Sequence, residues 1–191
     1  ETRHYPDIRL VYWAGGNPFH HHQDLNRLVR AWQRPETVIV HEPWWTATAR
    51  HADIVLPATL PTERDDIAAS GREPVFLPSH KIAVPPGEAR DDYTILTGIA
   101  RHLGLAEPFT EGRSPEAWLR HLYAGLSALT GQRDLPDFDS FWAGTGLRIE
   151  RSRPARSLLQ RYRENPERHR LHTPSGRIEL YSATIAGFAL P

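Results

Sequence analysis

Apolar residues near the start of the chain fall into a continuous run, a break, and a segment with helical spacing. Apart from Arg9, residues 8–13 are apolar, β-branched or aromatic, which predicts a buried strand. The sequence Gly-Gly-Asn-Pro at residues 15–18 follows at once, and its two glycines permit a sharp turn. Residues 23–32 then predict a helix, because their apolar side chains recur at helical spacing. Strand, glycine turn and helix form the opening unit of a nucleotide-binding α/β domain.

The same alternation continues along the first half of the chain. The pattern predicts further short strands at residues 37–41 and 52–56, with a helical turn at residues 46–51 between them. Residues 91–103 predict a helix with an acidic start, and Gly104 is its expected cap. The order β-α-β-α-β-helix therefore predicts an α/β fold, a Rossmann-like layered domain with a mostly parallel sheet.

The second half of the chain predicts a less regular, helical C-terminal part. Residues 114–129 indicate one amphipathic helix, and residues 148–170 are polar and arginine-rich with little apolar periodicity. Smaller predicted elements are strands at residues 74–77 and 81–84, expected as a hairpin, an aromatic helix at residues 138–142 and a strand at residues 177–180. We expect an α/β core over residues 1–105 and a helical and irregular extension of the same domain over residues 106–191.

The amino-acid composition argues against several classes of function. Arginine plus lysine and aspartate plus glutamate each number 23, so the formal net charge is zero, and we expect no nucleic-acid partner. The sequence contains no cysteine, which excludes thiolate metal sites. No apolar stretch approaches the roughly 20 residues of a membrane span. Methionine is also absent, even at position 1, and we therefore expect a segment of a longer protein.

Four stretches of the chain resemble a known family. They are YWAGGNPFHHHQDLNRL, HEPWWTATARHADIVLPAT, ERDD and TPSGRIELYSATIAGF. Together they resemble the molybdopterin-dependent oxidoreductases of the dimethyl sulfoxide reductase family, and within it the S- and N-oxide reductases. The resemblance follows the order of the family's motifs through nearly the whole chain.

The resemblance implies a cofactor and a reaction. Members of the family are much longer, multidomain enzymes built around molybdenum bis(molybdopterin guanine dinucleotide), and this chain is similar to their third domain. It implies reduction of S- or N-oxides such as biotin sulfoxide, dimethyl sulfoxide or trimethylamine N-oxide. The segment is then expected to bind the nucleotide part of the cofactor, to lack the molybdenum ligand and to be inactive alone. Its partners are the remaining domains and the oxide substrate; the compartment, cytoplasm or periplasm of a bacterium, stays open.

By motif position, the resemblance also implies which residues contact the cofactor. They follow the predicted strands or begin the later helix: Asn17, His21, His41, Glu42, Arg64 and Asp92. In open α/β sheets, ligands bind beyond the carboxyl ends of the strands. We therefore predict that these six side chains form one rim. No catalytic residue and no metal ligand is predicted in this segment.

Four of these candidates have a structural alternative. The Asn17 side chain can bond its own turn, Glu42 can pair with an arginine, Arg64 with a neighbouring aspartate, and Asp92 can cap its helix. Consecutive histidines at residues 20–22 rarely converge on one metal ion, so a phosphate contact near a helix N-terminus suits His21 better.

Two further alternatives concern the tryptophan pair and the function as a whole. Trp44 and Trp45 either pack in a core or stand ready to stack on a base. The alternative function is a stand-alone nucleotide-binding module without redox activity. Its ligand-lining residues would look the same.

Overall fold

A parallel β-sheet organises the first part of the structure, a computed structural model that describes residues 6–70, 74–149 and 157–188. Its three strands lie in the order β1-β2-β3 and follow one another along the chain: β1, Leu10–Ala14; β2, Thr37–Glu42; β3, Ile54–Pro57. The connections contain three helices: α1, Pro18–His21; α2, Leu25–Trp32; α3, Ala47–Arg50. The predicted β-α-β-α-β order is confirmed.

The sheet is held by the apolar residues that predicted it. Val38 and Val40 of β2 are almost fully buried and pack with Ala49 of α3. Val11, Trp13, Trp32 and Val55 complete this cluster. The Asp24 carboxylate caps α2 by accepting a hydrogen bond from the Arg27 amide at 2.9 Å. Strand and helix thus share one core, as the alternating pattern requires.

The predicted later helix is confirmed as α4, Asp92–His102. Asp91 is its N-cap and accepts a hydrogen bond from the Thr94 amide at 2.8 Å. Just before it, Arg90 forms a parallel bridge with Ala58, the residue after β3. The start of α4 is therefore attached to the end of the parallel sheet.

A second sheet, which is antiparallel, corrects the expectation of a mostly parallel arrangement. It contains β4, Asp66–Ala69; β5, Val75–Ser79; and β6, Leu147–Arg148, in that order. The predicted hairpin of residues 74–77 with 81–84 is wrong. Residues 81–84 form no strand, and the amides of Ile82 and Ala83 bond to the Thr62 carbonyl, at 2.9 and 3.0 Å. The pattern of apolar residues had not predicted that β5 pairs with β4, the strand that precedes it in the chain.

The predicted helix at residues 114–129 is divided in the structure. The helices of this part are α5, Ala106–Thr110; α6, Pro115–Ala124; α7, Leu126–Thr130; and α8, Phe138–Ala143. Gly125 separates α6 from α7. Leu126, directly after this interruption, is buried with Tyr123, Phe141 and Ile149. Leu129, which helical spacing places on the same apolar face as Leu126, is 80% exposed. This second core also includes residues of the antiparallel sheet.

The chain divides into two compact units, Glu1–Glu150 and Arg151–Pro191. Within the second unit, residues 157–188 contain two short helices, α9, Gln160–Glu164, and α10, Ala183–Ala186. The predicted strand at residues 177–180 is wrong. Residues 177–180 are irregular, and the amide and hydroxyl of Ser175 in the preceding turn donate to the Glu179 carboxylate at 2.8 and 2.7 Å. These bonds lower the pKa of Glu179. Of the predicted polar stretch 148–170, residues 150–156 lie outside the described residues.

Across the described ranges, no helix combines the length and apolar character that a membrane crossing requires.

Two glycines give a matched test of this fold. Gly146 has φ +105°, and a Cβ there would lie 2.6 Å from the Phe76 carbonyl oxygen. Gly98 lies inside α4, and a Cβ there would meet nothing within 4 Å. We expect Gly146→Ala to lower the free energy of unfolding by about 1–3 kcal/mol. Gly98→Ala should raise it by about 0.5–1 kcal/mol. Urea denaturation of the two variants measures both; equal effects would contradict the described approach of β6 to β5.

Candidate functional site

The carboxyl ends of the three parallel strands lie side by side. The pairing places Ala14 opposite His41, and Glu42 opposite Pro57. The bridge between Ala58 and Arg90 adds a fourth segment to this edge. We call this region the carboxyl edge of the sheet. Five of the six predicted site residues lie at it or are bonded to it, as described below.

Asn17 is held at the turn that follows β1. Gly15 and Gly16 precede it with φ of +82° and +71°, a conformation that favours glycine. The Asn17 side-chain oxygen accepts a hydrogen bond from the hydroxyl of Thr48, which is 1% exposed on α3. The alternative of an asparagine bonded only to its own turn is therefore wrong, because its oxygen is bonded across to α3.

His41 is the most buried of the predicted residues, with a side chain that is 2% exposed. Its Nδ1 lies 2.6 Å from Oδ1 of Asp92, and its Nε2 bonds to the Tyr12 hydroxyl. The rings of Tyr12 and His41 also meet edge to face, with centroids 5.3 Å apart. Burial, and secondarily the Asp92 carboxylate, raises the pKa of Tyr12. One buried histidine thus connects β1 to the start of α4.

Asp92 is the first residue of α4 and is about half exposed. The alternative that it caps the helix is wrong, because Asp91 is the cap. Its position in the first turn suits a carboxylate, since the amino end of a helix is electropositive. Asp92 therefore combines a fixed oxygen, bonded to His41, with access to solvent.

Arg64 is bonded to the residue that follows Ala58. Its Nη1 donates to the Thr59 carbonyl at 3.0 Å, and its Nε lies 3.3 Å from Asp66. The ion pair with a neighbouring aspartate, which was the structural alternative for Arg64, is therefore formed with Asp66. Both partners are partly exposed, and such pairs contribute little to stability.

Glu42 ends β2 and accepts a hydrogen bond from the Thr46 hydroxyl at 2.9 Å. Directly after it, Trp44 and Trp45 are 64% and 72% exposed. The interpretation of this pair as core residues is wrong. Two large aromatic side chains therefore stand in solvent beside the carboxyl edge.

His21 differs from the other five residues. It is the exposed last residue of α1, and none of the contacts described above involves it. In the chain it lies four residues before Leu25, where α2, the helix predicted after the glycine turn, begins. The neighbouring His22 instead accepts a hydrogen bond from the Asp24 amide at 3.2 Å.

A cavity of about 980 Å³ opens beside this edge, within the first unit. Thr59, Arg64, Arg90 and Asp92 contribute to its wall, and so do side chains of α6 and α8, including Trp118 and Trp142. Its polar residues carry both signs of charge. Within residues 6–70, 74–149 and 157–188, no cluster of three histidine or acidic side chains has the arrangement of a metal site.

Three residues of the site were not found by sequence reasoning. Thr48 and Thr59 gave no signal, because a lone threonine is common everywhere. Tyr12 could have been found: side chains alternate along a strand, and His41 lies opposite Ala14, so Tyr12 and His41 point to the same face of the sheet.

Similarity to known proteins identifies the family of this chain. A family model described as molybdopterin oxidoreductase matches residues 2–102. The chain belongs to the molybdopterin oxidoreductase family. Membership implies molybdenum bis(molybdopterin guanine dinucleotide) as the cofactor of the full-length enzyme.

Its relatives confirm the predicted resemblance to the dimethyl sulfoxide reductase family. The chain is 50% identical to a biotin sulfoxide reductase of Cereibacter sphaeroides over 97% of its own length and 25% of that protein. It is 45% identical to a trimethylamine-N-oxide reductase of Haemophilus influenzae, over 95% of this chain and 23% of that protein. The chain thus spans about a quarter of the length of these relatives.

A solved structure supports the fold. Acetylene hydratase from Pelobacter acetylenicus superposes on 98% of this chain and 23% of its own, with a TM-score of 0.63. At 20% sequence identity, this likeness shows the fold alone.

The bond between Thr48 and Asn17 can be tested by itself. Thr48→Val keeps the shape of a buried side chain but removes the hydroxyl that Asn17 accepts from. We expect it to lower the free energy of unfolding by about 1–2 kcal/mol, because the Asn17 oxygen loses its partner. Thr62→Val, at an exposed position, is the control and should change it by less than about 0.5 kcal/mol. Urea denaturation measures both. Equal stability of the two variants would contradict the bond.

Proposed function

We propose that this chain is the part of a molybdenum reductase that binds the nucleotide portion of a molybdopterin guanine dinucleotide. The observation that carries the proposal is the carboxyl edge, where Asn17, His41, Glu42, Arg64 and Asp92 are gathered by a parallel sheet. Ligands of α/β proteins bind at such an edge. The adjoining cavity of about 980 Å³ has the size of a cofactor site.

The side chains fit the two ends of a guanine nucleotide. The carboxylates of Asp92 and Glu42 are acceptors, which suits the N–H groups of a guanine edge. The guanidinium of Arg64 is a fork of donors, which suits a pyrophosphate. The Asn17 amide offers both a donor and an acceptor. A ligand with a hydrogen-donating base and an anionic linker matches this set.

His21 is part of the proposal on different grounds. The role of His21 as a cofactor contact is inferred from the family resemblance alone. His21 lies on the surface at the end of α1, and none of the contacts described above involves it. An exposed histidine four residues after Asn17 is available to a phosphate of the same linker.

For the whole enzyme, we infer the removal of oxygen from an S- or N-oxide. The names of the relatives point to biotin sulfoxide, trimethylamine N-oxide and dimethyl sulfoxide as substrates. Molybdenum, when bound, supplies the redox chemistry, and the protein binds and orients the cofactor. The ligand of molybdenum is expected outside this segment, so the isolated chain is expected to be inactive. Family membership favours this function over a stand-alone nucleotide-binding module.

The role of Arg64 is tested in the full-length enzyme that contains this segment. We expect Arg64→Ala to weaken cofactor retention roughly ten- to a hundredfold, because a charged hydrogen bond to phosphate contributes about 1.5–3 kcal/mol. Molybdenum and acid-released guanine nucleotide per enzyme, after dialysis, measure retention.

Arg9→Ala is the matched control. Arg9 precedes β1, at the opposite end of the strands, and its guanidinium forms an exposed ion pair with Glu36 at 2.6 Å. We expect full retention in this variant. An Arg64→Ala enzyme with full occupancy but an altered preference among oxides would overturn the proposal, because the edge would then bind substrate.

A further inference from the structure

Burial separates His41 from the other site residues. A side chain that is 2% exposed presents almost no surface to a ligand, and both ring nitrogens already have protein partners. Asp92, in contrast, is about half exposed and lines the cavity. Direct contact with a ligand is therefore available to the Asp92 carboxylate and not to the His41 ring.

The three side chains form a directed chain of hydrogen bonds. A neutral imidazole with its proton on Nδ1 satisfies both contacts at once: Nδ1 donates to Oδ1 of Asp92, and Nε2 accepts from the Tyr12 hydroxyl. A tyrosine hydroxyl is protonated at neutral pH and can donate, and burial raises the pKa of Tyr12 further from that range. The Asp92 carboxylate, which can only accept, therefore requires the proton on Nδ1, and the Tyr12 hydroxyl, which can donate, satisfies Nε2 and holds the ring that donates to the carboxylate.

We propose that Tyr12 and His41 are positioning residues that fix the Asp92 carboxylate as the acceptor for the base of the bound nucleotide, without touching the ligand themselves. The inference rests on the proposed function, because it assigns roles within the same site. It predicts that removing either link changes ligand retention through Asp92. Chains of this type orient a functional group by constraining the partner next to it.

Asparagine and glutamine at position 41 separate the two links. The amide of asparagine lies at the position of Nδ1, and the amide of glutamine lies at the position of Nε2. His41→Asn therefore retains a donor for Asp92, and His41→Gln retains only a partner for Tyr12. Both variants remove the buried ring, so a purely structural role of His41 would make them equally defective.

The experiment measures retention of molybdenum and acid-released guanine nucleotide in the full-length enzyme, beside the melting temperature of each variant. We expect His41→Gln to lower retention roughly tenfold or more and His41→Asn to stay within about threefold of the parent, although both melt lower. Tyr12→Phe, which removes only the hydroxyl and leaves the Nδ1 donor in place, should lower retention about as much as His41→Asn, by about two- to threefold. In the double variant His41→Gln with Asp92→Asn, retention should be no lower than in Asp92→Asn alone.

The outcomes distinguish this inference from the proposed function. If Arg64→Ala lowers retention but Asp92→Asn does not, the function stands and the positioning role is overturned. Equal losses in His41→Asn and His41→Gln, or additive losses in the double variant, overturn it as well. If neither Arg64→Ala nor Asp92→Asn changes retention, the proposed function fails and the inference fails with it. Should both position 41 variants fail to fold, Tyr12→Phe decides: unchanged retention overturns the positioning role.

Discussion

The parallel pairing of β2 with a strand on each side is the constraint on which the site depends. Backbone hydrogen bonds place Ala14 opposite His41 and Glu42 opposite Pro57. Because parallel strands require a crossover between them, each strand ends at the same edge and each following turn begins there. Residues separated by dozens of positions in the chain meet for this reason. A register shift of one residue would turn His41 to the opposite face and remove it from Tyr12.

Burying His41 at this edge requires compensation. An imidazole that is shielded from water loses hydration, and this cost is offset only if its nitrogens find partners. Tyr12 supplies one partner and Asp92 the other. The requirement to satisfy one buried ring thus ties β1, β2 and the start of α4 into one polar unit. The same requirement fixes one oxygen of the Asp92 carboxylate against the ring.

A second set of contacts joins α4 to the helical part of the first unit. The Tyr93 hydroxyl donates to the Arg113 carbonyl at 2.6 Å and accepts from the Trp118 indole at 3.1 Å. The Arg113 guanidinium lies over the Trp118 ring, 4.6 Å from its centroid. Tyr93 directly follows Asp92, so the wall of the cavity and the polar unit at the sheet are connected through adjacent residues. The cavity wall therefore includes residues of α4, α6 and α8 that are joined by these contacts or lie next to them in the chain.

The sequence by itself determined the class of fold and the family. Apolar runs and helical spacing identified β1 to β3, α2 and α4, because the period of their apolar residues is visible locally. Long motifs identified the family and, through it, the residues at the strand ends. The sequence also predicted the turn at Gly15 and Gly16. Both residues have a positive φ, a conformation that favours glycine.

Tertiary structure decided what local pattern cannot encode. The partner of β5 is chosen by strand edges and core contacts far along the chain, so an antiparallel sheet replaced the predicted hairpin of residues 74–77 with 81–84. Gly125 interrupts a helix that apolar spacing alone would have continued, and Leu126 directly after it is buried whereas Leu129 is exposed. The difference in burial between His41 and Asp92 could not be predicted from the sequence either, because both residues are polar. The tertiary structure buries the His41 side chain against Tyr12 and leaves the Asp92 side chain about half exposed.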